Sequence, residues 1–123
     1  MRLKNKIILV TASTRGIGLA IVKLCAKEGG TVYMAARNLE QANLIAKELN
    51  CNGYSIKVVY NDANKQETYI SMIDEVIKNE GKIDVLINNF GTSNPKIDLN
   101  IEYTKYDDFI NIINMNISSV FIA

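Results

Sequence analysis

The chain has 123 residues, of which 14 are Lys or Arg and 13 are Asp or Glu, and its formal net charge is +1. This length is that of one domain, and the nearly balanced charge leaves no basic stripe for nucleic acid or an anionic membrane surface. Every apolar run is too short to span a bilayer. The run after the basic N-terminus predicts a first strand and not a signal peptide.

Cysteine and histidine content narrows the chemistry further. The two cysteines, Cys25 and Cys51, lie on separate predicted helical segments. We therefore expect free thiols in a reducing, cytoplasmic setting, with Cys25 packed in the core. The sequence has no histidine and no spacing typical of metal ligands, so no metal site is predicted.

Strand-like apolar runs alternate with helical periodicity along the chain. The runs predict strands over residues 6–12, 31–36, 54–60 and 83–88. Helical spacing of apolar residues predicts helices over 16–28, around 39–49, around 69–77 and around 106–121, with Gly81 closing the third and a loop at 91–103 before the last. Four successive strand–helix units predict an α/β fold with a parallel, doubly wound sheet and right-handed crossovers.

The segment 11–18 joins the first predicted strand to the first predicted helix. Gly16 and Gly18 allow the backbone to approach a bulky anion and the helix to pack closely on the strand. The helix N-terminus adds a partial positive charge. A plain tight turn is the alternative, but the position between a strand and a helix favours a nucleotide-binding turn.

Three motifs resemble those of the short-chain dehydrogenase/reductase family. Segment 11–18 resembles its Thr-Gly-x-x-x-Gly-x-Gly motif, and segment 88–91, Asn-Asn-Phe-Gly, resembles its Asn-Asn-Ala-Gly motif. Asn116 matches the asparagine of the family's fourth helix. Segments 35–37, 67–69 and 88–92 carry a narrower likeness to the bacterial NADP-dependent 7α-hydroxysteroid dehydrogenases.

The resemblance covers the whole chain and implies its architecture and its cofactor-binding residues. Residues 1–123 are expected to form the N-terminal dinucleotide-binding portion of such an oxidoreductase. The expected sheet is Rossmann-like and incomplete, with about four strands in the order 3-2-1-4. The residues that the resemblance assigns to the cofactor are Ala12, Ser13, Thr14, Arg15, Gly16, Ile17, Gly18, Arg37, Asn38, Asp62, Ala63, Asn89, Phe90 and Gly91.

The charge of the residues after the second predicted strand indicates which nicotinamide nucleotide is bound. Enzymes of this fold that use NAD place an acidic residue after the second strand, where it binds the ribose hydroxyls. This chain has Arg37 and Asn38 at that point, and Arg15 within the glycine turn. Guanidinium groups bind a 2′-phosphate through charge-assisted hydrogen bonds, so NADP(H) is predicted. The alternative for Arg37 is a solvated loop residue.

Several of these positions carry a second interpretation or depart from the family pattern. Ala12 replaces the first glycine of the motif and is expected to keep a negative φ. Phe90 replaces a small residue and either walls the nicotinamide pocket or fills core volume. Asp62 matches the family's adenine-contacting acid, or caps a helix that starts near Lys65. Asn89 contacts the cofactor ribose side, or is a turn residue.

The expected chemistry is oxidation or reduction of a secondary alcohol or ketone, with a steroid of the bile acid class as the small-molecule substrate. The family uses a Tyr-x-x-x-Lys pair for general acid/base chemistry, and no tyrosine in the chain precedes a lysine at that spacing. The 123-residue chain alone is therefore expected to be truncated and inactive. The alternative is a non-catalytic nucleotide-binding or interaction module.

The last predicted helix carries one supporting catalytic residue and an expected interface. Asn116 shares the apolar face with Ile113 and Val120, so we expect its amide to be buried and bonded to the fourth strand. The resemblance adds a role for Asn116 in a water relay. Exposed apolar residues on this helix, or the free edge of the fourth strand, predict a homo-oligomer.

Overall fold

A computed structural model describes residues 1–90 and 105–118 of the chain. The elements in order are β1 Ile7–Val10, α1 Gly16–Lys27, β2 Thr31–Ala36, α2 Leu39–Asn50, β3 Ser55–Tyr60, α3 Glu67–Glu80, β4 Val85–Ile87, α4 Tyr106–Ile113 and a π-helical turn Asn114–Ser118. The predicted loop at 91–103 and the last residues of the predicted final helix lie outside the described residues. Each of the four predicted strands is present, and β1 and β4 are shorter than expected.

The four strands form one parallel sheet in the order β3-β2-β1-β4. This confirms the predicted α/β class and the predicted strand order. The register pairs Ile8 with Val32 on one side and with Val85 on the other, and Val32 pairs with Ile56. All four carboxyl ends therefore reach the same edge of the sheet, which is where ligands bind in folds of this kind.

Alternating side chains of the strands divide the core into two layers. Ile8 and Val10 belong to one buried cluster together with Val22 of α1 and Ala46 of α2. On the opposite face, residues of β1, β2 and β3 pack against the third helix, and the buried members of this cluster are Ile7, Leu9, Tyr33, Ala35, Val59, Tyr69, Met72 and Val76. Helices thus cover both faces of the sheet, which explains the nearly continuous apolar strands.

The helix ends follow local sequence chemistry. The Asn38 side chain accepts a hydrogen bond from the Gln41 backbone N–H at 3.1 Å and so caps α2. Gly81 follows α3 with a φ of 78°, a left-handed conformation that glycine adopts without a steric penalty. Both cysteines have free thiols: Cys25 is half-buried against the core, and Cys51 is exposed just after α2. Burial raises the pKa of the Cys25 thiol.

The fourth helix has an apolar surface that the described residues leave partly uncovered. Tyr106, Phe109 and Ile117 are all more than half exposed. Exposed aromatic and aliphatic side chains on one short segment are typical of an interaction surface. Within the described residues, no helix combines the length and the apolar character needed to cross a membrane.

Candidate functional site

The glycine turn begins at a non-glycine residue in the left-handed region. Ala12 has a φ of 49°, so the expectation of a negative φ at this position is wrong. Its side chain is exposed, and its carbonyl oxygen accepts a hydrogen bond from Asn89 Nδ2 at 3.1 Å. This hydrogen bond from the segment after β4 fixes the direction of the Ala12 carbonyl. The left-handed conformation that results is unfavourable for Ala12, because its methyl group crowds the backbone.

The two glycines of the turn serve different needs. Gly16 has a φ of 56° and open space around it, so its requirement is conformational. Gly18 is buried at the start of α1, and a Cβ there would collide with the Ala12 carbonyl oxygen and would lie 2.6 Å from Asn89 Nδ2. The close approach of α1 to the turn therefore depends on the missing side chain at Gly18.

Thr11 joins the carboxyl ends of β1 and β4. Its hydroxyl oxygen accepts hydrogen bonds from the backbone N–H groups of Asn89 at 2.9 Å and Phe90 at 3.2 Å. The Thr11 backbone N–H donates to the Ile87 carbonyl at 3.1 Å. The sequence identifies Thr11 only as part of the motif, because its role in positioning segment 88–90 depends on this tertiary contact.

A cleft of about 640 Å³ lies at the carboxyl edge of the sheet, above the glycine turn. Most of the residues that the sequence assigns to a cofactor line it: Ala12, Thr14, Arg15, Gly16, Ile17, Arg37, Asn38, Asp62, Ala63, Asn89 and Phe90. Lining residues that sequence reasoning missed are Ala35, Ala36, Gln41, Asn61 and Asn64. Four separate chain segments therefore meet around one concave surface of nucleotide size.

Two of the assigned residues, Ser13 and Gly18, do not line the cleft. Gly18 lies behind the turn, and Gly91 is outside the described residues. Ser13 is fully buried, and its hydroxyl has no hydrogen-bond partner within residues 1–90 and 105–118. Ser13 therefore packs beneath the turn and does not contact the cleft. Within the part of the chain that the structure describes, its buried hydroxyl is an exception to the rule that buried polar groups are hydrogen-bonded.

The ionisable side chains around the cleft are mostly cationic. Arg15 and Arg37 are both exposed and line it from the glycine turn and from the end of β2, respectively. Asp62 is the acidic residue among the lining residues, and it is buried beyond the end of β3. The two guanidinium groups that line the cleft therefore suit a ligand with a phosphate group.

Asp62 is held in a tight turn before α3. Its Oδ1 accepts a hydrogen bond from the Asn64 backbone N–H at 2.9 Å. Its own backbone N–H donates to the Thr68 hydroxyl at 2.9 Å, and that hydroxyl donates to the Asp62 carbonyl at 3.0 Å. The N-cap of α3 is Gln66, so the interpretation of Asp62 as the cap of that helix is wrong. Its carboxylate caps the turn at residues 62–65, between β3 and α3, and Asp62 is one of the residues that line the cleft.

Phe90 and Asn116 complete the set of sequence-predicted residues. Phe90 is half-buried and lines the cleft, which favours the wall over the core-filling interpretation. Asn116 lies in the π-helical turn and is half-buried, where full burial was expected. Its Nδ2 donates to the Ile112 carbonyl at 2.8 Å, within its own helical segment. This hydrogen bond to the backbone one turn earlier fixes the orientation of the Asn116 side-chain amide.

A second concave surface, of about 480 Å³, lies between α2 and β3. It contains none of the residues assigned from the motifs. The side chain of Asn50 joins α2 to β3 at this surface. Its Oδ1 accepts a hydrogen bond from the Ile56 N–H at 2.8 Å, and its Nδ2 donates one to the Ile56 carbonyl at 2.9 Å. Asn50 thereby satisfies the outer backbone groups of β3 at that register position, which is an edge-strand function.

Comparison with known proteins defines the class of this chain. A family model described as short chain dehydrogenase matches residues 6–123, and the chain belongs to this family. The 7α-hydroxysteroid dehydrogenase of Clostridium sardiniense is 43% identical over 121 residues, which are 98% of this chain and 46% of the relative. The enzyme of the same name from Paraclostridium sordellii is 45% identical over 120 residues, 98% of this chain and 45% of the relative.

Solved structures give the same result for the fold. A Serratia marcescens short-chain dehydrogenase/reductase variant superposes with a TM-score of 0.89 at 27% identity, over 100% of this chain and 49% of that one. A Burkholderia cenocepacia short chain dehydrogenase in complex with NADP superposes with a TM-score of 0.87 at 27% identity, over 100% and 49%. The chain therefore spans about half the length of the relatives it matches.

Proposed function

We propose that this chain is the NADP(H)-binding part of an oxidoreductase that acts on a secondary alcohol or ketone, with a 7α-hydroxysteroid of the bile acid class as substrate. The observation that carries the proposal is the cleft at the carboxyl edge of the sheet, with Arg15 and Arg37 on its sides and no acidic residue directly after β2. The names of the Clostridium sardiniense and Paraclostridium sordellii relatives support the substrate class.

The residues of the cleft fit a dinucleotide with a 2′-phosphate. Gly16 has open space around it at the start of α1, which leaves room for a pyrophosphate near the helix N-terminus, and Gly18 allows α1 to pack closely behind the turn. Arg15 and Arg37 would bind the 2′-phosphate as a charged pair of donors. We assign Asp62 and Ala63 to the adenine.

The remaining cleft residues would hold the rest of the cofactor. Thr14 and Ile17 would contact the phosphates, Asn38 the adenosine ribose, and Asn89 and Phe90 the nicotinamide half, with Gly91 next to them in the chain. When bound, NADP(H) would accept or supply a hydride at its nicotinamide ring. The proposal assigns this chain's own residues to binding and orientation, with Asn116 in the π-helical turn as a supporting residue.

The chain carries no Tyr-x-x-x-Lys pair, so proton transfer to the substrate oxygen is not assigned to it. The same observation favours a second candidate function, a nucleotide-binding module without catalysis. The two candidates differ in the coding sequence after codon 123, where a continuing frame with a Tyr-x-x-x-Lys segment supports the oxidoreductase. Turnover of a 7-keto bile acid with NADPH by a verified 123-residue chain would contradict the assignment of binding alone.

Two properties of the whole protein follow from the same reasoning. The free thiols of Cys25 and Cys51 support a cytoplasmic location. The exposed apolar side chains Tyr106, Phe109 and Ile117 support a homo-oligomer formed through α4. Light scattering on a Phe109→Asp variant, compared with the unchanged chain, tests the second property, since loss of the oligomer is the expected result.

A titration with two nucleotides tests the cofactor assignment. The chain should bind NADPH more tightly than NADH, and Arg37→Glu should weaken NADPH binding by about tenfold or more without weakening NADH binding, because a carboxylate at this point suits the ribose hydroxyls. Lys23→Glu, on an exposed position of α1 outside the cleft, is the charge-matched control. The fluorescence of the reduced nicotinamide ring measures the binding of both nucleotides. Tighter binding of NADH by the unchanged chain would rule out the assignment.

A further inference from the structure

The first turn of α2 contributes a cleft residue that no motif identifies. Gln41 lines the cleft next to Arg37 and Asn38, and its side chain is exposed. Its backbone N–H is bonded to the Asn38 side chain at 3.1 Å, which fixes the position of its Cα relative to the end of β2. The side chain of Gln41 therefore begins at a defined point close to the end of β2, and it lines the cleft together with Arg37.

The residues that line the cleft at the end of β2 and the start of α2 differ in charge. Arg37 supplies a permanent positive charge, and the N-terminus of α2 adds a partial one. Gln41 supplies two N–H donors without a charge. The acidic residue of the same turn, Glu40, is exposed and does not line the cleft. An anion held by Arg37 would therefore meet an amide donor, and not a carboxylate, on the side facing α2.

We infer that Gln41 is a specificity residue for the 2′-phosphate, with its Nε2 donating to a phosphate oxygen that Arg37 also binds. The inference rests on the proposed function, since only a nucleotide with a 2′-phosphate has a group at this end of the cleft for both residues to bind. A carboxylate at position 41 would repel a dianionic phosphate and would have no such effect on a ribose hydroxyl. The effect of the change should therefore depend on the nucleotide.

The test compares two variants and one control on the 123-residue chain with two pairs of probes. The variants are Gln41→Glu and Gln41→Ala. The control is Gln66→Glu, because Gln66 is an exposed glutamine at the N-cap of α3 and does not line the cleft. The probes are NADPH against NADH, and 2′,5′-ADP against AMP, which separate the phosphate from the nicotinamide. Circular dichroism of each variant without nucleotide verifies the fold.

The expected result is a loss of affinity for NADPH and 2′,5′-ADP of about tenfold in Gln41→Glu and of about threefold in Gln41→Ala. NADH and AMP should bind each variant as they bind the unchanged chain, and Gln66→Glu should bind all four probes normally. An equal loss for both members of a pair, or no loss for NADPH, overturns the role of Gln41 while the NADP(H) assignment stands. Preference of the unchanged chain for NADH overturns both.

Discussion

Replacing Ala12 with glycine should stabilise the chain, although glycine normally destabilises folded proteins. Ala12 adopts a φ of 49°, a conformation that costs an L-residue about 1–2 kcal/mol relative to the right-handed regions. Glycine avoids this cost but adds about 0.4–1 kcal/mol of unfolded-state entropy. The Ala12 methyl is exposed, so its removal leaves no cavity in the core. The difference is a net stabilisation of about 0.5–1 kcal/mol.

Thermal unfolding without nucleotide measures this prediction directly. For a domain of this size the gain corresponds to an increase in unfolding temperature of about 2–4 °C. The matched control is Ala20→Gly, the same substitution at an exposed position inside α1, where the expected change is a loss of about 1 kcal/mol. Equal destabilisation by both substitutions would show that the left-handed conformation of Ala12 carries no strain, and the reasoning would then be refuted.

Two further substitutions test the turn and an ion pair. Gly18→Ala should destabilise the chain by about 2 kcal/mol or more and weaken nucleotide binding, because the added Cβ collides with the Ala12 carbonyl. Gly53→Ala is the comparison: its φ of 86° makes a side chain cost about 1–2 kcal/mol, but the added methyl meets open space, so nucleotide binding should be unchanged. A wild-type unfolding temperature for Gly18→Ala would contradict the close packing. The hydrogen bonds from Lys57 and Tyr33 lower the pKa of Glu80, so this carboxylate stabilises the folded chain above the ordinary glutamate range and the stabilisation is lost as pH falls through the lowered pKa. Glu80→Gln should therefore reduce the drop in unfolding temperature between about pH 5 and pH 3. Glu75→Gln is the control and should show the same drop as the unchanged chain. Equal acid sensitivity of both variants would exclude the proposed linkage.

The fold was predictable because its signals are local. The run Ile7–Val10 and the strand Thr31–Ala36 are apolar on both faces, which is typical of parallel strands, and the intervening periodicity is helical. The strand order followed from the family resemblance of the motifs. The ends of β1 and β4 were less predictable, because Thr11 was expected to extend the strand and instead turns its hydroxyl toward Asn89 and Phe90.

The site was only partly predictable, since its details depend on contacts between distant segments. The conformation of Ala12 is held by a hydrogen bond from Asn89, 77 residues later in the sequence. Gln41 and Asn64 carry no motif and join the cleft only because α2 and the turn after β3 approach the same edge of the sheet. Of the two interpretations of Asp62, the helix cap is wrong because Asp62 is followed by a turn that separates it from α3.

The hydrogen bonds between Thr11 and segment 88–90 also determine when the cleft can exist. The glycine turn is synthesised early, but the groups that fix it, the Asn89 amide and its backbone N–H, are among the last of the first ninety residues to be made. Closing so long a loop before its contacts form is entropically unfavourable, so docking of β4 is expected to be a late folding step. A nascent chain that ends before residue 89 would have the sequence motif for a phosphate but no assembled site for it. The emergence of β4 therefore couples completion of the sheet to the first opportunity for the ligand to stabilise the fold.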